Sequence, residues 1–180
     1  EEDVGDLDAL ILALCQAGAD PDLQVYGQPP LIWAAVGMVH IPLVRVLIEC
    51  NASGKSEQGH HLPLLHTLAV SLHTIQSELV MFLGAVHAGA VDIRGNPTSV
   101  GSLGKLVNER LRTWYNYSSA FRDAVNRNAS QVSRSQFEAM HADLFQVLFA
   151  ELVRAPDFDI GEASLTGSVG QNFFHLMALH

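Results

Sequence analysis

The sequence predicts an all-α fold: a solenoid of stacked helix-turn-helix units, one of them enlarged by a helical insertion. Two observations carry that expectation. Residues recur at a spacing of 34, with Gly27, His61 and Gly95 in one series and Pro29, Pro63 and Pro97 in another, while Leu31 returns as Leu65 and Ala35 as Ala69. Each recurring phrase leads into an apolar stretch that stops at Gly or Asn and gives way to a polar loop. The composition permits such a core, since 48% of the 180 residues are hydrophobic and only 16% are charged.

The elements follow in order along the chain. "LILALCQAGADPD" (10–22) reads as an apolar helix closed by Gly18, which takes a left-handed conformation at no steric cost. "GQPPLIWAA" (27–35) reads as a proline-led turn into a short helix, and "LVRVLIECNAS" (43–53) as a second helix closed by Asn51. "HLPLLHTLA" (61–69) and "LVMFLGAVHAGAVD" (79–92) repeat that pair, with Gly89 in the closing position.

Three helical patterns fill the longer interval up to Gly170. Leu103, Leu106, Val107, Leu111 and Trp114 form the first, and Phe121 with Val125 a shorter second. The third opens on a capping box of Ser135 and Glu138, with Phe137, Met140, Leu144, Leu148, Phe149 and Leu152 on one face. "NRNASQVSRS" (126–135) between the last two is a polar loop. Residues 98–154 are read as one unit enlarged by a helical segment, or as two degenerate units. "GQNFFHLMALH" (170–180) then restarts the cycle. The expected units are 1–26, 27–60, 61–94, 95–169 with the insertion, and a partial 170–180. None can bury its apolar stripe alone, so each must stack on its neighbours.

These phrases resemble the ankyrin repeat, whose pattern runs roughly G-x-T-P-L-H-x-A-A, then a second helix, then L-L-x-x-G-A-D-x-N. "GQPPLIWAA", "HLPLLHTLA" and "GQNFFHLMA" look like its first half and "LCQAGADPD" like its second. The resemblance covers 7–97 and 150–180, and is only suggestive between. It implies a structural role for His66 and His175 and a core position for Trp33. Ile32 stands where the family has its histidine, and Pro29 and Pro63 stand where it has a capping Thr. The helix there must be led in by proline's fixed φ.

The family likeness also implies function: a non-catalytic domain that docks a protein partner, or a substrate for a catalytic region elsewhere in the parent chain. Irregular repeats with an insertion look similar to ankyrin regions of bacterial effectors. Among these are ADP-riboxanases, in which that region captures host caspases, and the location would then be the host cytosol. A eukaryotic scaffold or regulatory ankyrin domain is the competing reading, likewise cytoplasmic. "EEDVGDLDAL" has neither a basic n-region nor an initiating Met, and is read as the start of an excised piece.

Charge and motifs narrow the classes further. The net charge is −9, yet residues 105–134 carry six basic side chains against two acidic, a local +4 that leaves −13 elsewhere. An acidic body argues against nucleic acid and suits a basic protein partner. Apolar runs such as Ala9–Cys15 and Leu79–Leu83 are far short of the roughly 20 residues of a membrane span. Cys15 and Cys50 are expected to be free thiols in helices. No phosphate loop, nucleophile elbow or HExxH helix occurs, so no catalytic residue and no cofactor is assigned.

Candidate contact residues lie in the loops that such a stack exposes along one edge: Val25 and Tyr26, His60 and His61, Arg94, Phe158 and Ile160. Tyr26 could instead fold onto its own hairpin, and Phe158 onto the helix before it. His60, His61, His66, His73 and His87 fall within 28 residues but lack the spacing of zinc ligands. A His-dependent metal-binding or enzymatic module stays the alternative class. A basic aromatic helix with Arg110, Arg112, Trp114, Phe121 and Arg122 offers a calmodulin-type target, unless Trp114 is core and the arginines merely solvated.

Overall fold

A computed structural model describes residues 7–24, 26, 28–55, 63–72, 113–127 and 133–161. The expected second helix of 79–92 with Gly89, the pattern from Leu103 to Leu111, and the restart at Gly170 lie outside them. Among the described residues the regular structure is helical and no strand occurs. The helices are α1 (Leu7–Gln16), α2 (Leu31–Gly37), α3 (Ile41–Glu49), α4 (described over 64–72), α5 (described over 113–117), α6 (Ser119–Asn126) and α7 (Arg134–Leu152).

The first three helices end in the same way. Beyond α1, the amides of Gly18 and Ala19 donate to the carbonyls of Cys15 and Leu14 at 2.9 and 3.0 Å. Asn51 and Ala52 repeat this beyond α3, on Ile48 and Leu47, both at 2.9 Å. This paired closure needs one left-handed residue, and Gly18 (φ 96°) and Asn51 (φ 62°) supply it where the sequence places them. Beyond α2 the same two bonds come from Val39 and His40, with Val39 at φ 54°. A β-branched residue there is strained; Val39 is fully buried, so its packing offsets the strain.

The helix starts are equally local. Pro30 caps α2 with no side-chain hydrogen bond, as a proline-led start requires. His40 caps α3, its Nδ1 accepting from the Leu43 amide at 3.1 Å. Ser133 and Gln136 form the capping box of α7: Gln136 Oε1 accepts from the Ser133 amide at 2.9 Å, and Ser133 Oγ from the Gln136 amide at 3.3 Å. The box expected at Ser135 and Glu138 is therefore corrected by two residues. Glu138 is instead used by Arg134, one turn back, at 2.8 Å.

The described residues belong to two compact units, one drawn from Glu1–Ser71 with Leu148–His180 and the other from Leu72–Val147. In the first, α3 packs against both α1 and α2. Its buried residues include Ile32, Ala35, Val44 and Leu47, and Leu65, Leu68 and Ala69 of α4, and His66 is fully buried. Of the residues 34 apart, Ile32 and His66, and Ala35 and Ala69, are buried at both positions, whereas Leu31 is 37% exposed and its counterpart Leu65 is buried. Trp33 is buried, as expected of a core position.

The end of α7 joins this unit through a clamp. Buried Glu151 accepts from Arg45 Nε of α3 at 2.6 Å and from Arg154 Nη1 at 2.8 Å, one arginine on each carboxylate oxygen. Beside it the Gly54 amide donates to the Pro156 carbonyl at 2.8 Å. A Cβ on Gly54 would lie 3.1 Å from Ala155 Cβ and 3.3 Å from the Phe158 backbone, so glycine permits the approach. Strict neighbour-to-neighbour stacking would give no contact between the expected units 27–60 and 95–169. These bonds join them, because the chain after α7 returns to α3.

In the second unit Trp114 and Phe121 meet edge to face at 5.8 Å, and Leu72, Met140 and Leu144 complete a buried cluster. Asp143 of α7 holds the start of α6, its Oδ2 accepting from Ser118 Oγ and Ser119 Oγ, both at 3.1 Å, and from the Ala120 amide at 3.3 Å. A carboxylate there complements the positive end of the helix dipole.

Two substitutions test these supports by urea unfolding. Gly18→Ala should destabilise by about 1 kcal/mol from backbone strain alone, because nothing lies within 4 Å of the added Cβ; Asn51→Gly should change stability by only a few tenths in the opposite direction. Glu151→Ala should cost about 1–2 kcal/mol, the worth of charge-assisted bonds whose arginine partners keep part of their solvation.

Candidate functional site

The candidate site is the outer side of α1 and the loop that follows it. The helix "LDALILALCQ" is apolar on nearly every side, yet none of its residues is buried. One side meets α3; Leu7, Leu10 and Leu14, at positions i, i+3 and i+7, are 45%, 55% and 48% exposed. That spacing aligns three leucines in one stripe. A helix apolar all round is ordinarily buried, so the uncovered stripe is an apolar surface.

The loop beyond is tied down in a way that displays its tip. Asp20 Oδ1 accepts from the Asp22 amide at 2.9 Å, an Asx turn, and the Leu23 amide reaches the Asp20 carbonyl at 3.3 Å. The Asp22 carboxylate then accepts from the Ser53 amide at 2.9 and 3.1 Å, fixing this loop to the one after α3. Tyr26, at φ 53°, is 99% exposed, and Leu23 is also exposed. The alternative in which Tyr26 packs on its own hairpin is thereby excluded. Within 7–24 the only charged residues are Asp8, Asp20 and Asp22, all acidic, with Asp20 exposed and the other two partly buried.

The other sequence-derived candidates separate. Phe158 is half-buried and stacks edge to face on Phe149 of α7 at 6.2 Å, as its packing alternative required, whereas Ile160 is exposed. Val25, His60, His61, Arg94, Arg110 and Arg112 lie outside the described residues. Trp114 and Phe121 are each only 1% exposed, which corrects their reading as surface anchors of a basic helix: ring packing against one another outweighs display. Arg122 stays outside, 5.9 Å above the Tyr115 ring, with Nη2 donating to the Asn116 carbonyl at 3.4 Å.

Two features escaped the sequence reading. The leucine stripe sits in a helix whose pattern is legible but whose uncovered side is not. Cys15 and Cys50 are both free, partly exposed thiols, one in the last turn of α1 and one directly after α3, and the two helices pack on each other. Burial, then the Cys15 thiol and the Glu49 charge, push the Cys50 thiol up to about 11. Among the described residues no group of three or more His, Cys, Asp or Glu is placed to hold a metal ion, and no helix is long and apolar enough to cross a membrane.

Compared with known proteins, the chain matches no family model, no curated protein and no solved structure.

The raised Cys50 thiol has a kinetic consequence, because only the thiolate is nucleophilic. Alkylation of Cys50 in the native chain, followed separately from that of Cys15, should accelerate about tenfold per pH unit from neutrality upward, levelling above an ordinary cysteine's range. Peptide mapping after timed iodoacetamide pulses reads this, and a plateau already reached near pH 9 would contradict it.

Proposed function

We propose that this chain is a non-catalytic docking domain, an irregular ankyrin-like helical array that holds a protein partner on the outer side of α1 and the loop after it. The observation that carries the proposal is the exposed stripe of Leu7, Leu10 and Leu14, with fully exposed Tyr26 in the loop that follows the helix. Aromatic and aliphatic anchors of this kind supply most of the energy of a protein interface. The acidic residues that flank the stripe favour a partner segment carrying lysine or arginine around apolar anchors. In this reading the captured protein is a regulated partner, or a substrate delivered to a catalytic region elsewhere in the parent chain.

Support also comes from the helix pair α2–α3, from its left-handed closures, and from buried residues repeated at a spacing of 34. These fit a helical repeat, and repeat arrays offer extended surfaces rather than enclosed catalytic sites.

The test uses an amphipathic peptide with leucine anchors and lysine flanks, and a counterpart with glutamate in place of lysine. Fluorescence anisotropy should show the basic peptide bound and the acidic one not. The double variant Leu10→Ser/Leu14→Ser should weaken binding at least about tenfold, with the melting temperature nearly unchanged because neither side chain is buried. Equal binding of both peptides, or full affinity in the double variant, would sink this assignment.

A further inference from the structure

We propose that Cys15 and Cys50 are a reversible redox pair, which a low-molecular-weight disulfide such as oxidised glutathione converts into an internal disulfide bolting α1 to α3. The inference does not depend on what the surface docks.

Three placements bring the two cysteines to the same end of the α1–α3 pair. Cys15 stands in the last turn of α1 and Cys50 directly follows α3, and the two helices pack on each other. Both helices end in the same paired closure, and the chain just beyond them is tied by the Asp22 carboxylate on the Ser53 amide. Each thiol stands at the end of one of two packed helices, and Cys15 is among the neighbours that act on the Cys50 thiol, so forming an S–S bond of about 2.05 Å asks for a local movement rather than a new packing. Each is partly exposed, which admits a small oxidant.

The chemistry balances in two exchanges. The Cys15 thiolate attacks one sulfur of glutathione disulfide, forming a mixed disulfide and expelling one glutathione thiolate, which takes up a proton. Cys50 then loses its proton and attacks the Cys15 sulfur, expelling the second glutathione. The protein gives up two electrons and two protons, and one glutathione disulfide becomes two glutathiones. Cys15 is the first to react because burial and its neighbours hold Cys50 in the thiol form. Closure would fix the helix that has no buried residue to the one that anchors the unit.

Incubation of the full chain with oxidised glutathione, followed by non-reducing intact mass and thiol titration, tests the pair. The expected product is a monomer lighter by two hydrogens, with no free thiol, melting higher than the reduced chain and restored by dithiothreitol. Cys50→Ser should stop at a single glutathione adduct on Cys15. Persistent glutathione on the wild-type chain, or chains linked to one another, would overturn the pairing; an internal disulfide that leaves melting unchanged would overturn the bolting of α1.

Discussion

The paired backbone bonds that close α1, α2 and α3 decide where the chain goes next. Each closure spends two amides on the last turn and forces one residue into the left-handed region, which turns the chain sharply away from the helix axis. The turn after α2 is short enough that α3 begins at Ile41 and packs back on it. The turns after α1 and α3 end in loops that Asp22 and Ser53 hold together. Val39 shows how strongly the geometry is imposed. A valine occupies a conformation suited to glycine because its side chain is wanted in the core.

Long-range ties then determine what those local turns can build. Glu151 engages Arg45 across 106 residues of sequence, and Gly54 lets the chain after α7 approach within van der Waals distance. A purely linear stack has no place for this return, so the unit containing α3 is braced by a segment far along the chain. Asp143 plays a comparable part at α6, where one carboxylate gathers two hydroxyls and an amide. In both cases a single acid organises a helix end that apolar packing alone would leave free to shift.

What was legible in the sequence was whatever is decided within a few residues. Gly18 and Asn51 announced the ends of α1 and α3, and Pro30 the start of α2, because these residue types have few other uses there. The start of α7 was harder: Ser133–Gln136 and Ser135–Glu138 are overlapping versions of one pattern, and Arg134 drew Glu138 into an ion pair instead. Val39 gave no signal, since nothing in a valine predicts a left-handed turn. The burial of Trp114 against Phe121, the Glu151 clamp and the meeting of Cys15 with Cys50 all depend on which helices become neighbours. Of the candidate surface, Tyr26 was legible as a loop residue but not whether it packs or is displayed, and the leucine stripe was not legible.

The absence of any buried residue in α1 bears on the order in which this unit comes apart. A helix of 10 residues is marginal in water by itself, so α1 borrows its helicity from contact with α3. It belongs at the low end of the local-unfolding scale, while α3, with Ile41, Leu43, Val44, Leu47 and Ile48 in the core, belongs near the top. Fraying therefore begins at α1 and leaves the α2–α3 pair folded behind it. The helix that offers the apolar stripe is also the one the unit can release without losing its core.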